Sequence, residues 1–187
     1  MTEKLRPFKA LSRNTVLKLG KFLKVESHTV ESPDGRLIED RGWLVVPDAV
    51  IVLAITTDQR FLCFRQIKYA VEGVTLAPVG GMIELGEDPF EGAKRELLEE
   101  TGYEAPEWTS LGSYCADPDR GNGKRYLFLA RQATQVAEPN SDDVEDQEIL
   151  TLSREELETA LLDGQFKALS WTAVVAVALC HRNASST

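Results

Sequence analysis

Three glutamates, Glu96, Glu99 and Glu100, fall at spacings of three and four within the stretch GMIELGEDPFEGAKRELLEETGY, residues 81–103. On a helix that spacing brings Glu96 beside both of the others on one face. Like charges so placed repel by a few tenths of a kcal/mol per pair. Something of opposite charge must sit among them. Arg95 is one candidate. A divalent cation is another: Mg²⁺ prefers carboxylate oxygens, keeps several of its waters and takes phosphate oxygens as further ligands. Taken alone, such a cluster more often means a solvated acidic helix, so the surrounding residues decide.

Residues 88–101 carry the signals of a helix. Asp88 is a good N-cap, Pro89 suits the first helical position, and Glu91 stands where a capping box places its acid. Phe90, Ala93, Leu97 and Leu98 give it an apolar face. Gly102 stops it. Gly80 and Gly81 mark a loop ahead of it, in which backbone carbonyls can approach a bound ion closely. Residues 49–56 (AVIVLAIT) are a continuous β-branched run, as in a buried central strand. Strands are also expected over 61–69, 108–115 and 125–133. The polar loop DPDRGNGK precedes the last of these, and a long acidic loop over 136–148 follows it. Ser153 caps a second helix through Leu162, with Glu156 at the capping-box position, and residues 170–182 form a third. Ahead of all this, an arm of about ten residues leads into a hairpin, one strand over 15–30 and one over 37–46, around the turn Ser32-Pro33-Asp34-Gly35. The layout reads as α/β or α+β rather than a simple βαβ alternation, divided into residues 1–46 and a main domain, 47–187.

Composition sets limits. The 187 residues are 43% hydrophobic and 27% charged, which is globular. A net charge of −9 argues against nucleic acid or an anionic membrane as partner. Cys63, Cys115 and Cys180 are widely spaced, with no CxxC, so structural zinc is not expected and free thiols suit a reducing cytoplasm. The opening MTEKLRPFKA has no apolar core of signal-peptide length, and the apolar run at 171–180 is half a membrane span. A soluble, cytoplasmic protein is expected.

Residues 81–103 fit the pattern G-x5-E-x7-R-E-U-x-E-E-x-G-U throughout, where U is bulky and apolar or aromatic. The fixed residues are Gly81, Glu87, Arg95, Glu96, Leu97, Glu99, Glu100, Gly102 and Tyr103. A chance match is on the order of 10⁻⁹ per starting position from average residue usage. This stretch resembles the Nudix box, and the chain is similar to Nudix hydrolases. The resemblance implies an α/β/α sandwich around a mixed β-sheet. It implies hydrolysis of a nucleoside diphosphate linked to another moiety, with Mg²⁺ or Mn²⁺. It makes Glu96, Glu99 and Glu100 metal ligands, with Glu99, Glu100 and Arg95 also catalytic, joined by a carbonyl from the Gly80–Gly81 turn, that of Gly80. Arg95 would orient the glutamates, and Glu87 would support the loop or bind metal through water.

Flanking residues resemble the ADP-ribose and ADP-sugar pyrophosphatases within that family: FRQIKYAV before the box, APVGGMIELGEDP leading into it, Pro118 after it, and SREELETALLDGQF toward the C-terminus. Ala77, Gly80 and the loop around Pro118 depart from that subgroup's pattern. The acidic loop SDDVEDQE is similar to one that supplies a further ligand and the general base. Glu145 is the choice for the ligand and Asp143 for the base, with Asp142, Asp146 and Glu148 as competitors. Arg65, Arg120 and Lys124 are candidates for holding substrate phosphate, or for ordinary ion pairs. Trp43, Trp108 and Tyr69 are expected to be core residues rather than base-stacking ones, and His28 and His181 surface residues. The subgroup also implies a homodimer through the N-terminal strands. Two alternatives stand beside an ADP-sugar diphosphatase: a house-cleaning pyrophosphatase for nucleoside triphosphates or dinucleoside polyphosphates, and a non-catalytic nucleotide sensor.

Overall fold

The computed structural model describes residues 5–140 and 147–181. The chain divides into two compact units, Met1–Pro47 with Cys115–Lys124, and Asp48–Tyr114 with Arg125–Thr187.

The first unit is an antiparallel meander of β1 (Lys9–Leu19), β2 (Leu23–Glu31) and β3 (Leu37–Val45). The expected hairpin is thus a three-stranded sheet whose first strand begins at Lys9, at the end of the expected arm. The break falls at Gly20, whose φ of +56° reverses the chain between two runs of similar β-propensity. The turn after β2 closes as its residues predict, with Ser32 Oγ accepting the Arg36 N–H at 3.1 Å. His28 is buried rather than superficial. Its ring stacks on Trp43 with centroids 5.3 Å apart, and its Nε2 lies 2.9 Å from Glu26 Oε2. Trp43 also lies against Gly121, where a Cβ would come within 2.6 Å of the indole.

The second unit holds β4 (Ala49–Thr56), β5 (Phe61–Ile67), β6 (Val74–Ala77), α1 (Pro89–Thr101), β7 (Tyr103–Glu104) and most of β8 (Glu107–Asp117) and β9 (Gly121–Gln135). It ends with β10 (Gln147–Leu152), α2 (Arg154–Leu162) and α3 (Leu169–Cys180). The sheet is mixed: β4 runs parallel to β9 and antiparallel to β5. One edge of β5 takes β10, and the other is shared by β4 and β6.

The apolar run in β4 is explained by its two covered faces. Val50, Val52 and Ala54 join Leu62, Phe64, Ala77 and Val79 beneath Ala93 and Leu97 of α1. Ile51 and Leu53 join Phe61, Cys63, Leu127 and Leu129 beneath Leu157 of α2 and Val174 and Val175 of α3. Helix, sheet and helix therefore form the expected three layers. Each fully buried Leu or Val contributes roughly 1.5–3 kcal/mol against exposure.

Helix α1 starts as its sequence predicts, with Asp88 accepting the Phe90 N–H at 2.9 Å. The capping box does not close, because Glu91 instead pairs with Lys94 at 2.9 Å. In α2 the box is complete around Ser153 and Glu156. Helix α3 begins at Leu169, without a side-chain cap. The strands β6, β7 and β10 were not expected. β10 lies in what reads as the end of an acidic loop, yet Leu150 and Leu152 alternate onto the cluster beneath α2 and α3.

Gly102 ends α1 with φ +74°, and its carbonyl accepts the N–H groups of Val136 at 2.8 Å and Ala137 at 3.1 Å. A Cβ there would come within 2.0 Å of the Ala137 carbonyl oxygen. Gly164 has a similar φ, +69°, with open space around it. Gly164→Ala should therefore cost about 1 kcal/mol, the strain of a left-handed non-glycine residue. Gly102→Ala should cost at least about twice that. Urea unfolding of the two variants measures the difference, and equal losses would refute the packing role given to Gly102.

Candidate active site

The glutamates of α1 are organised around the guanidinium of Arg95. Its Nε donates to Glu87 Oε1 at 2.8 Å and its Nη2 to Glu87 Oε2 at 3.0 Å, a two-pronged grip on one carboxylate. Its Nη1 donates to Glu96 Oε1 at 2.8 Å and to Glu99 Oε2 at 2.9 Å. Nη2 also reaches the Met82 carbonyl at 3.1 Å. One cation thus joins three carboxylates and the loop ahead of the helix.

Helical spacing places Arg95, Glu96 and Glu99 together, but Glu87 must be brought in by the loop. There the Glu87 N–H donates to the Glu84 carbonyl at 3.1 Å, and Glu87 Oε2 accepts the Glu84 N–H at 2.8 Å. Two glycines keep the space clear. A Cβ on Gly92 would come within 3.0 Å of Glu87 Oε2, and one on Gly81 within 2.3 Å of the Glu96 carboxylate. Gly80 contributes its N–H, which donates to Glu100 Oε2 at 3.1 Å. The Gly81 carbonyl accepts the Val50 N–H at 3.0 Å and ties the loop to β4.

The charges are unevenly placed. Glu96 is only 9% exposed. Burial pushes its pKa up, while the Arg95 guanidinium opposes the shift. Glu87 is held below the usual carboxylate value by its hydrogen bonds to Arg95. Those same bonds raise the pKa of Arg95, which stays charged. One guanidinium meets three carboxylates, those of Glu87, Glu96 and Glu99. Among the described residues no three His, Cys, Asp or Glu side chains converge closely enough to hold an ion unaided. Arg95 bridges Glu96 and Glu99. All the donors are hard oxygens, they carry surplus negative charge, and the glycine-lined space beside Glu96 admits no side chain. That combination fits a Mg²⁺-like cation.

The other candidates are scattered. Asp142, Asp143, Glu145 and Asp146 lie outside the described residues. Glu148 pairs with Arg65 across the β10–β5 register, at 3.5 Å, so Arg65 has an ion-pair partner. Arg120 and Lys124 belong to the first unit, where Asp117 holds Arg120 at 3.6 Å. Trp108 is a packing residue. It meets Phe90 edge-on at 5.5 Å and donates its Nε1–H to the Ala105 carbonyl at 2.8 Å. Tyr69 is fully exposed, contrary to expectation, because β5 ends at Ile67 and leaves it in the following turn. His181 is exposed, as expected. The places of Gly92 and the Met82 carbonyl were not anticipated. Both depend on the loop folding back onto α1, for which spacing along the helix gives no signal.

Comparison with known proteins places the same residues in a wider context. Residues 45–172 match the NUDIX domain. The chain is 29% identical over 157 residues to the ADP-ribose pyrophosphatase of Bacillus subtilis (strain 168), covering 82% of this chain and 83% of that protein. It is 30% identical over 142 residues to the methanol dehydrogenase activator of Bacillus methanolicus, covering 76% and 75%. A crystal structure of an ADP compounds hydrolase superposes with a TM-score of 0.77 at 22% identity, over 95% of each chain, and shares the fold.

The grip of Arg95 on Glu87 should be measurable in the free protein. A double-mutant cycle with Arg95→Ala and Glu87→Gln, read by urea unfolding at pH 7, should give a coupling of about 1–3 kcal/mol. Because the folded-state pKa of Glu87 is depressed, its stabilisation is present above the ordinary value of 4.5 and is lost as pH falls below it. The stability gap between wild type and Glu87→Gln should therefore narrow on acidification. A gap that widens would contradict the assigned interaction.

Proposed function

This chain belongs to the Nudix family, and on that premise we propose that it hydrolyses the diphosphate of an ADP-sugar such as ADP-ribose, giving AMP and a sugar phosphate. The family makes it a hydrolase of pyrophosphate bonds. The observation that carries the reading is the set of α1 glutamates gathered by Arg95 beside the Gly80–Gly81 turn. The named activity of the Bacillus subtilis relative supports an ADP-sugar.

Nudix hydrolases generally need a divalent metal ion. In this reading the ion is Mg²⁺ or Mn²⁺, and Glu96, Glu99, Glu100 and the Gly80 carbonyl hold it. Glu87 has both oxygens engaged and acts mainly by fixing Arg95. Arg95 keeps the glutamates in place. When bound, the ion supplies positive charge against the diphosphate oxygens. A carboxylate of the acidic loop, Asp143, takes a proton from a water as general base, and Glu145 would be a further ligand. That water attacks one phosphorus in line. The bond from that phosphorus to the bridging oxygen breaks, and two monoesters leave. Arg65, Arg120 and Lys124 remain candidates for the substrate phosphates.

Two further parts of the reading concern the whole molecule. β1 is exposed along its full length and carries Leu11, Val16, Leu17 and Leu19. A long apolar edge strand invites pairing, which supports a homodimer formed through the N-terminal strands. The three free cysteines support a cytoplasmic location. No described helix is long and apolar enough to cross a membrane.

With Mg²⁺ present, ADP-ribose should yield AMP and ribose 5-phosphate in stoichiometric amounts, and EDTA should abolish turnover until Mg²⁺ is restored. Glu99→Gln and Glu100→Gln should each lower kcat on the order of 10²-fold or more. Inorganic pyrophosphate released from deoxynucleoside triphosphates, with ADP-sugars untouched, would refute the substrate assignment. Undiminished turnover in both variants would refute the catalytic one.

A further inference from the structure

Glu99 and Glu100 sit in the least secure part of their helix. Helix α1 runs Pro89–Thr101, so both lie in its last turn. The last four carbonyls of a helix have no partner within it, and end turns fray. The C-terminus also carries the negative end of the helix dipole, which disfavours carboxylates there. No basic residue stands in that turn to offset them. Arg95 holds the Glu99 carboxylate at 2.9 Å, but not the backbone that carries it. Cation ligands must keep their places to about half an ångström, so the turn has to be fixed from outside the helix.

Residues 134–140 supply that support. Thr134 and Gln135 pair antiparallel with Glu104 and Tyr103 of β7. The N–H groups of Val136 and Ala137 go to the Gly102 carbonyl, and the N–H of Asn140 donates to the Glu99 carbonyl at 2.8 Å. Two of the carbonyls that the helix leaves over are thus taken by one segment. The segment is itself braced: Gln135 Nε2 donates to the Ala137 carbonyl at 3.3 Å, and Pro139 has one backbone dihedral fixed by its ring. Inside the turn, the fully buried Thr101 donates its hydroxyl to the Leu97 carbonyl at 2.5 Å. The side chain of Asn140 is exposed, and its backbone is what reaches the helix.

We propose that Asn140 is a positioning residue for Glu99 and Glu100, its N–H holding the last turn of α1 closed so that both carboxylates meet a divalent cation in fixed places. The inference rests on the reading that these glutamates hold that cation. Segment and cation act on the same turn, so their effects are reciprocal. Whatever factor the closed segment adds to cation affinity, the cation adds to closure.

The test uses the full chain and three variants. Asn140→Pro removes the N–H, whereas Asn140→Ala keeps it and removes only the side chain. Gly164→Ala strains the turn after α2 and controls for a loss of stability alone. Mg²⁺ affinity is read by calorimetry, and amide exchange at Asn140 is followed in the wild type with and without Mg²⁺. Asn140→Pro should weaken Mg²⁺ about three- to ten-fold, the weight of one hydrogen bond, with the other two variants within about two-fold of wild type. Saturating Mg²⁺ should slow exchange at Asn140 by a similar factor. If Asn140→Pro does not fold, the exchange result on the wild type decides alone. A folded Asn140→Pro that binds Mg²⁺ like the wild type, an Asn140→Ala as weak as the proline variant, or an Asn140 amide indifferent to bound Mg²⁺ would overturn the assignment and leave the cation site in place. A wild type that binds no Mg²⁺ would overturn the cation reading and this inference with it.

Discussion

A single guanidinium placed among more carboxylates than it can neutralise is the constraint around which this protein is built. Arg95 grips Glu87 with two hydrogen bonds and reaches Glu96 and Glu99 with a third nitrogen. Glu96 is buried beside Gly81, where desolvation disfavours its charged form and Arg95 only partly opposes that effect. The arrangement holds negative charge at high density, buried at Glu96 and exposed at Glu99. That is an expensive way to build a helix and a sensible way to build a cation site.

The rest of the second unit holds that helix still. Asp88 fixes where α1 begins, and Gly102, wedged under Ala137, fixes where it ends. Between them Ala93 and Leu97 press into a sheet whose opposite face is covered by α2 and α3. Gly80 and Gly81 join the two systems. One meets Glu100 through its N–H, and the other bonds β4 through its carbonyl. Small residues at these points are steric necessities: Gly80 also lies so close to β4 that a Cβ would come within 2.5 Å of the Val50 carbonyl oxygen. The distance between the glutamate face of α1 and the sheet is therefore set by backbone packing, which deforms little.

Much of this was legible in the residues, for identifiable reasons. β4 was visible because both of its faces are apolar, and α1 because cap, proline, periodicity and terminal glycine agree. The Glu cluster followed from spacing alone. What failed was whatever depends on distant partners. β10 hides its alternation behind an acidic lead, and β6 is only four residues long. The first two strands read as one because a lone Gly20 separates equally strand-like runs. His28 looked superficial since nothing local announces that Trp43, on the neighbouring strand, will cover it. Tyr69 looked like core because its strand stops two residues earlier than its composition suggests. Glu87 was recognisable by position in the box, but its double bond to Arg95 came only with the folded loop.

The measurement that bears most directly on the central claim is calorimetric binding of Mn²⁺, with Mg²⁺ as competitor, to the wild type and to Glu96→Gln, Glu99→Gln and Glu100→Gln. Saturable binding to the wild type that Mg²⁺ displaces, weakened at least about ten-fold in each variant, is the result the Arg95-centred site predicts. Variants that bind Mn²⁺ as tightly as the wild type, or a wild type that binds none, would contradict it.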